Sequence, residues 1–449
     1  DRYTQGFLEY LNESSTAFHA TKGAKDRFLA AGFTEIDEKA AWTIKKGGKY
    51  FFTRNGTTVI AFAIGENYEA GNGFSIAAAH TDSPNLRIKA APTVVKSKTL
   101  MLNTQPYGGG LWHTWFDRDL GIAGRVVVRN EKGGLEGRLV EIRRPVARIP
   151  NLAIHLTKGT ERDSFAPNLH SHAQAMLTID PATVATVTDA RFHPALMSLV
   201  APEVGARPED IVEMELQLMD VQESCLGGLH NEFIYSGRLD NLCSSYQCIR
   251  SLIDTSMDGC KNIRVVMLFD HEEVGSCSGQ GAGSSMFMDT LQSIHEGLNG
   301  SAAHGSLMRD LRNSFTVSID MAHALHPNYT EKHDHSMAPV INGGLVIKHN
   351  ANQRYATNAM SASVFRECAA RAGVPVQEFS VRSDTGCGST VGPIMATLSG
   401  ILTVDCGSPQ FSMHSIREMM GANDAYCGYA HLRAYFQHCP DVLDKVSLA

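Results

Sequence analysis

The chain has 449 residues, a formal net charge of −7 at pH 7 and 43% hydrophobic residues. This length exceeds what one simple core accommodates, so we expect two domains. The acidic balance gives no support for a nucleic-acid partner, and no apolar run approaches the ~18 residues that a membrane-spanning helix needs. Ten cysteines occur singly, which favours reduced thiols and a cytoplasmic protein. There is no hydrophobic signal core, and the sequence leaves open whether a targeting segment precedes Asp1.

The first 92 residues are predicted to begin an α/β domain. Apolar side chains recur at helical spacing over residues 1–35. A hairpin is predicted from two apolar runs that flank the turn residues Asn55 and Gly56, namely 50–53 and 58–64. A further short apolar run, 74–79, predicts a buried strand that ends at His80.

Residues 93–233 differ in their sequence pattern from the residues before them and are predicted to form an inserted β-rich domain. The runs 125–130 and 137–142 are predicted to form a hairpin-like pair, and 212–218 alternates as a half-exposed strand should. Most of 143–208 is predicted to be loop. The insertion would interrupt the first domain, which resumes at residue 234 and continues to residue 449.

Residues 234–449 alternate between helices and strands, which favours a sheet with helices on both faces. The predicted strands are 265–269, 315–319, 376–381 and 401–404. The predicted helices are 243–253, 286–294, 361–372 and 416–436. The fold class is therefore α/β, with a mixed sheet flanked by helices and a β-rich domain inserted into it.

The stretch 263–276 is the centre of the predicted site. Its apolar run is typical of a strand buried on both faces, and it ends in Asp270, His271, Glu272 and Glu273. Ligands of open α/β sheets bind beyond the carboxyl ends of the strands. Adjacent carboxylates there repel each other unless a cation compensates, which favours a metal site. Glu-Glu pairs are also common on ordinary surfaces, so this interpretation depends on the other strand ends.

Other strand ends carry the same kinds of side chain. His80 and Asp320 directly follow predicted strands, His414 comes shortly after another, and Asp240 begins the returning half of the sheet. Any one of them alone would more often be structural. Imidazole and carboxylate groups suit zinc, and five such residues, with one carboxylate able to bridge, suit two ions ~3.5–4 Å apart.

Charge counting supports two ions and a spare base. Asp240, Glu273 and Asp320, together with one hydroxide, would balance the four positive charges of two Zn²⁺ ions. Glu272 would then be left to take a proton from water, whose pKa the ions lower toward ~7 while they polarise a scissile carbonyl.

Several other residues are predicted to have roles other than metal binding. Asp82 can reach the second imidazole N–H of His80 and fix its tautomer. The histidines at 326, 333 and 335 are predicted to lie in a solvated loop, and those at 170 and 172 on the surface. Residues 386–390 are predicted to form a tight turn, because the Gly-Lys-Ser/Thr of a phosphate loop is missing.

Several short motifs follow one another over nearly the whole chain. They are 79–84, 108–120, 151–156, 239–241, 270–276, 320–323, 348–350 and 413–418. In this order they resemble the aspartyl aminopeptidase family of di-zinc metallopeptidases. The resemblance includes the inserted domain, which in this family mediates dimerisation and assembly of dimers into a tetrahedral dodecamer.

The resemblance implies a role for each residue of the site. One zinc would be held by His80, Asp240 and Asp320. The other would be held by Asp240, Glu273 and His414, so that Asp240 bridges the ions. Glu272 would be the general base, and Asp82 would orient His80. Substrate contacts would come from His323, Lys348, Tyr355 and, from a neighbouring subunit, His155.

The function expected from this resemblance is hydrolysis of an N-terminal Asp or Glu from peptides. The acidic side chain would need a cation in a closed pocket, and Lys348 is the candidate, although most lysines are solvated surface residues. The free α-amine would be held by Asp320 or Glu272. Cobalt or manganese is an alternative to zinc at one site.

Two alternatives are open from the sequence. The first is a di-metal aminopeptidase without acidic specificity, or a deacylase, on the same fold. The second is a non-catalytic assembly or cargo protein, against which the retained Glu272 argues. The sequence does not identify the physiological peptides, the preference between Asp and Glu, or the native metal.

Overall fold

The protein is described by a computed structural model over residues 2–186, 188, 190–300 and 305–447. The chain divides into two compact units. The first unit combines Asp1–Asp82, Ser224–Met413 and Glu418–Ala449, and the second combines Ser83–Glu223 with His414–Arg417.

The boundaries between the units fall ten residues before the predicted ones, at 83 against 93 and at 224 against 234. Strand pairing explains both differences. Asn85–Lys96 pairs with Thr99–Tyr107 in the sheet of the second unit. Phe233–Ser236 pairs with Glu418–Gly421 in a sheet of the first unit. The short segment His414–Arg417 has no counterpart in the sequence prediction.

In the first unit, nine strands of the described residues form the main sheet. In spatial order they are Thr34–Glu35, Lys49–Arg54, Thr58–Ile64, Ile263–Phe269, Phe74–His80, Phe315–Ile319, Leu402–Gly407, Leu345–Lys348 and Val376–Phe379. Phe74–His80 lies between two parallel neighbours, whereas Thr58–Ile64 pairs antiparallel. The predicted mixed α/β sheet is confirmed.

The central strands are apolar because helices cover both faces of the main sheet. All seven residues of Thr58–Ile64 are buried. Val59, Ala61 and Ala63 pack into one core cluster, and Ile60, Phe62 and Ile64 into another, as the two-residue period of a strand requires. The helices of this unit are Arg2–Glu13, Ala17–Ala30, Leu239–Asp254, Met286–Asn299, Ser306–Arg312, Ala359–Ala372, Val391–Ser399 and Ala422–Leu443.

The predicted start of the C-terminal helix at residue 416 is wrong, because the helix begins at Ala422. Glu418–Gly421 is instead a strand of a second sheet, which has five strands among the described residues. The sheet runs Cys225–Gly227, Phe233–Ser236, Glu418–Gly421, Pro409–Phe411 and Ala322–His323. Pairing with distant strands here overrides the local helical pattern.

The second unit contains one described sheet of six strands. In spatial order they are Leu135–Ala147, Leu120–Arg129, Ile211–Asp220, Asn85–Lys96, Thr99–Tyr107 and Ala175–Thr178. Alternate residues such as Val140 and Ile142 face a core that also includes Leu196 and Val200 of the helix Pro194–Glu203. The shorter helices are Thr160–Asp163, Leu169–His172 and Pro181–Val184.

Local signals explain the remaining differences from the predicted elements. The stretch 1–35 holds two helices, because Thr16 accepts a hydrogen bond from the His19 amide and caps the second one. The region 143–208 contains the helix Pro194–Glu203 in addition to loops. No helix within the described ranges combines the length and apolar character needed to cross a bilayer.

Candidate metal centre

The main sheet of the first unit places several polar side chains at one edge. His80 is the last residue of Phe74–His80, and Asp320 directly follows Phe315–Ile319. The turn Glu272–Val274 follows Ile263–Phe269, which is parallel to Phe74–His80. Because these strands are parallel neighbours, their carboxyl ends meet at the same edge.

Asp240 reaches this edge from the helix Leu239–Asp254. Its backbone is extended rather than helical, and the peptide bond between Asp240 and Asn241 is cis. The Asp240 amide donates to Oε2 of Glu418 at 3.1 Å. The buried Asn241 side chain donates to the Ile319 carbonyl at 2.9 Å, which fixes the helix start beside the strand that leads to Asp320.

The imidazole of His80 lies at the centre of the cluster. Its Nε2 is 3.4 Å from Oδ1 of Asp240, 3.6 Å from Oδ1 of Asp320 and 3.7 Å from Oε2 of Glu272. Candidate ligand atoms of His80, Asp240 and Asp320 all lie within 4.8 Å of one another, and so do those of His80, Glu272 and Glu273. His80 is 1% exposed.

Asp82 contacts three residues of the cluster. Its backbone carbonyl accepts from His80 Nδ1 at 3.0 Å, and its carboxylate lies 3.3 Å from the same nitrogen. The two carboxylate oxygens accept the amide N–H groups of Glu272 and Glu273 at 3.2 and 3.1 Å. Asp82 therefore contacts both the imidazole and the turn that carries the two glutamates, and its predicted role in orienting His80 stays a prediction.

Burial and mutual repulsion shift the pKa values of this cluster. Burial raises the pKa of Glu272 to about 8, while His80 opposes the rise and Asp320 reinforces it. Burial, followed by the charge of Asp240, raises the pKa of Glu273 well above its ordinary range. Burial alone would lower the pKa of His80, but the neighbouring carboxylates, Asp240 first, outweigh burial and raise that pKa.

The donor set fits a divalent cation. A carbonyl oxygen only accepts, so Nδ1 of His80 carries a proton, and in the neutral imidazole Nε2 carries the lone pair. Among the described residues, Nε2 has no hydrogen-bond partner, although it is buried and surrounded by carboxylates. A cation would reduce the repulsion among the carboxylates, and it would bind the Nε2 lone pair that otherwise faces their oxygens. Imidazole and carboxylate ligands are those that zinc prefers.

His414 belongs to the second unit, in the segment His414–Arg417. Its Nδ1 donates to the carbonyl of Gly109 at 2.6 Å, so Nε2 carries the lone pair that a metal ligand needs. The Leu111 amide donates to the His414 carbonyl at 2.9 Å. Its predicted place as a ligand with Asp240 and Glu273 stays a prediction.

The residues predicted to contact substrate fall in two places. In the first unit, Lys348 ends the strand Leu345–Lys348, and its Nζ lies 5.1 Å from the centroid of the buried Tyr355 ring. His323 ends the strand Ala322–His323 with an exposed side chain, 5.5 Å from the Phe379 ring. His155 lies exposed in the second unit, in the turn Ile154–Leu156.

Within the described part of the chain, the other histidines singled out in the sequence lie outside the groups that could hold a metal. Nε2 of His333 accepts the His326 amide at 3.1 Å, and Nδ1 of His326 accepts the Asn328 amide at 3.2 Å. Of the described residues, no group that could hold a metal includes His326, His333 or His335. The prediction of a loop is consistent with this, and His170 and His172 are exposed in Leu169–His172.

Two buried carboxylates near the site received no individual role from the sequence. Asp270 lies between the strand and Glu272, and burial, with Asp82, raises its pKa to about 6. Asp405 lies inside the strand Leu402–Gly407 with no exposed surface. An Asp within an apolar run was the available signal, because a buried charge needs partners.

A mixed α/β sheet whose carboxyl edge gathers a buried histidine and several carboxylates fits a metal-dependent hydrolase. The profile of the family described as "Aminopeptidase I zinc metalloprotease (M18)" matches residues 10–436. The chain belongs to this family and is a metallo-aminopeptidase.

Individual relatives match over nearly their full length. A probable aspartyl aminopeptidase of Ricinus communis is 45% identical over 474 aligned residues, which cover 98% of this chain and 96% of that protein. Aspartyl aminopeptidase 1 of Schizosaccharomyces pombe is 42% identical over 457 residues, with coverage of 98% and 96%.

Solved structures share the fold. Ape4 in its complex with Nbr1 superposes with a TM-score of 0.96 at 40% identity, covering 100% of this chain and 87% of that chain. A chain of the Saccharomyces cerevisiae mApe1 dodecamer superposes with a TM-score of 0.86 at 27% identity, covering 98% of each chain.

Proposed function

We propose that this protein removes N-terminal Asp or Glu from peptides. The observation that carries the proposal is the buried ammonium of Lys348, which is 2% exposed. Its Nζ donates to the Met321 carbonyl at 3.0 Å, and no carboxylate of the described residues lies within 4.0 Å of it. A buried charge without a close counter-charge is unfavourable, so the side-chain carboxylate of an acidic substrate is a fitting partner. The name aspartyl aminopeptidase, carried by both relatives, supports the same substrate.

Two zinc ions per subunit are part of the proposal, with cobalt or manganese as an alternative at one site. His80, Asp240 and Asp320 would hold one ion, and Asp240, Glu273 and His414 the other. When bound, the ions would polarise the scissile carbonyl and lower the pKa of water.

The side chains of this chain have separate roles in the proposed reaction. Glu272, kept deprotonated by the bound cations, takes the proton of the attacking water and returns it to the leaving amine. Asp82 holds Glu272 through its amide and His80 through Nδ1. Asp320 or Glu272 accepts a hydrogen bond from the substrate α-ammonium group. Burial raises the pKa of Tyr355, so its hydroxyl stays protonated and can donate to a substrate oxygen.

The second unit is proposed to mediate dimerisation and assembly into a dodecamer of tetrahedral symmetry. Its turn Ile154–Leu156 supports this, because Ile154 and Leu156 are 60% and 66% exposed beside His155. The solved mApe1 dodecamer, a structural neighbour, supports it further. In the assembly His155 would reach the substrate of a neighbouring subunit.

A panel of Asp, Glu, Leu and Ala reporters, with metal analysis, tests the proposed substrate. The wild-type protein is expected to prefer the acidic reporters. Lys348→Met keeps the length of the side chain and removes its charge, so it should lower kcat/KM for the acidic reporters by about tenfold or more without changing the zinc content. Preference for Leu or Ala would favour the alternative function, a non-acidic aminopeptidase or deacylase. Equal loss of zinc and activity in Lys348→Met would make this lysine structural.

Complementation tests the role of His155 in a neighbouring subunit. His155→Ala and Glu272→Gln homo-oligomers should each be inactive. Co-assembled, they should regain activity, because a His155→Ala subunit with its own Glu272 can receive an intact His155 from its neighbour. The matched control is co-assembly of Glu272→Gln with the double variant, which offers no complete site. Failure of co-assembled, size-verified oligomers to recover activity would place His155 outside the site.

A further inference from the structure

Asp405 is a buried carboxylate whose hydrogen bonds link three segments near Lys348. It lies in the strand Leu402–Gly407 and has no exposed surface. Oδ2 accepts the Ala356 amide N–H at 2.6 Å, and Oδ1 accepts the Thr390 hydroxyl at 2.6 Å. Both carboxylate oxygens are therefore engaged by donors that carry no charge.

These bonds fix the segment that carries Tyr355. Ala356 directly follows Tyr355, so its bond to Oδ2 of Asp405 holds that segment against the strand. Thr357 adds a second attachment, because its Oγ1 accepts the Asp405 amide at 2.9 Å and donates to the Asp405 carbonyl at 3.4 Å. The Tyr355 ring thereby keeps its place beside the Lys348 ammonium.

Strand register brings Asp405 next to Lys348. The antiparallel partners are Val346 with Gly407 and Ile347 with Cys406. The next step in the same register sets Lys348 opposite Asp405, where Cβ atoms of facing residues lie ~4.5–5.5 Å apart. Lys348 is nevertheless not ion-paired to it within 4.0 Å, and Nζ donates to the Met321 carbonyl instead.

In this arrangement the Asp405 carboxylate balances the charge of the Lys348 ammonium without forming a direct ion pair with it. Burial raises the pKa of Asp405, and the positive charge of Lys348 is among the effects that oppose the rise. The two charges thus stabilise each other across the strand pair. Asp405 directs its oxygens to Ala356 and Thr390. The Lys348 ammonium, which has three donors, gives one to the Met321 carbonyl and keeps donors for another carboxylate.

The helix Val391–Ser399 is also built around this carboxylate. Gly392 approaches it so closely that a Cβ there would clash with Oδ2 of Asp405. A larger residue at 392 would displace the carboxylate or the helix.

We propose that Asp405 is a positioning residue for the acidic-substrate pocket. It holds Tyr355 in place and balances the charge of Lys348 without forming an ion pair, so the ammonium can bind the carboxylate of an N-terminal Asp or Glu. This inference rests on the proposed function, because it assigns a determinant of that specificity.

Asp405→Asn tests the inference in the assembled, metal-loaded protein. With reporters that carry Asp, Asn and Leu, the variant should raise KM for the Asp reporter by about tenfold or more while its kcat changes little. The Asn and Leu reporters should be affected much less, and the zinc content should match the wild type. The ratio of Asp to Asn hydrolysis therefore falls.

Thr390→Val is a milder variant that keeps the charge. It removes the donor to Oδ1 of Asp405, so that oxygen can turn toward Lys348 and compete with substrate. The expected result is a severalfold rise in KM for the Asp reporter at unchanged kcat. If Asp405→Asn does not fold, this variant decides the question.

Asp310→Asn provides the matched control for loss of a buried carboxylate. Asp310 is also fully buried, but it accepts the amides of Gly71 and Gly73 at the opposite, amino end of the strand Phe74–His80. It should lower stability while leaving the ratio of Asp to Asn hydrolysis unchanged.

The outcomes separate this inference from the proposed function. A wild-type protein without acidic preference would overturn both. Acidic preference in the wild type, with equal loss on all reporters in Asp405→Asn, would overturn only the role of Asp405. An unchanged KM for the Asp reporter in Thr390→Val would do the same.

Discussion

The main sheet of the first unit and the sheet of the second unit bury their strands differently, and the first is mixed whereas the described strands of the second pair antiparallel. Every residue of Ile263–Phe269 is buried. Leu135–Ala147 of the second unit has only three buried residues out of thirteen, and Leu135 itself is 65% exposed. In a sheet covered on both faces, a polar side chain needs a protein partner or a ligand. On a solvent-exposed face it needs neither, because water hydrogen-bonds to it. A polar residue at a strand end of the first unit is therefore informative about function.

The largest expected effect is at the carboxyl edge of the main sheet. Glu272→Gln keeps the shape of the side chain and removes its basicity, so kcat should fall about a thousandfold. Zinc content should stay at the wild-type level, because Glu272 is not among the proposed ligands. Steady-state kinetics and metal analysis of the same sample check this. Substantial residual turnover would assign the base to another group.

Removal of the metal should expose the repulsion within the buried cluster. Burial raises the pKa of Glu272 to about 8, far above its value in an unfolded chain, so the folded state favours the protonated form. That contribution to stability is complete below about pH 4 and is lost as the pH rises toward 8. The melting temperature of the chelated protein should accordingly fall relative to the metal-loaded protein across this range.

Chelated Glu272→Gln is the control for this prediction, because its side chain cannot ionise. Its melting temperature should decline less steeply with pH than that of the chelated wild type. Identical slopes for the two proteins would mean that Glu272 does not titrate in the folded state over this range.

A smaller effect compares the two sheets directly. Phe62 is fully buried in the first unit, so Phe62→Ala should cost about 3–5 kcal/mol of unfolding free energy. The exposed Leu135 of the second unit should tolerate Leu135→Ala within about 0.5 kcal/mol. Urea unfolding followed by fluorescence measures both. Comparable losses would show that Leu135 is covered in the assembled protein.

The same difference in burial explains what the sequence could predict. Apolar runs that end in ionisable residues located His80, Glu272, Glu273 and Asp320, and the structure brings all four to one edge of the sheet. The hairpin around Asn55 and Gly56 was equally clear, because Gly56 adopts a positive φ and both flanking strands are apolar. These signals are local along the chain.

Properties that depend on distant partners were not predictable. Nothing near Lys348 in the sequence shows that its ammonium is buried against Met321 and Tyr355. The partners of Asp405, Ala356 and Thr390, lie 49 and 15 residues away. The wrong start of the C-terminal helix has the same cause, since Glu418–Gly421 is held as a strand by Phe233–Ser236.

The return of His414–Arg417 to the second unit has a consequence for biosynthesis. Ile416 is buried in the core of that unit, although the rest of the unit ends at Glu223. During translation, residues 83–223 leave the ribosome long before this isoleucine is made. The core of the nascent unit therefore lacks one apolar side chain until residues 414–417 are synthesised. A fragment that stops at residue 223 would lack the same side chain, and attaching the 414–417 peptide through a short tether should make it more resistant to proteases.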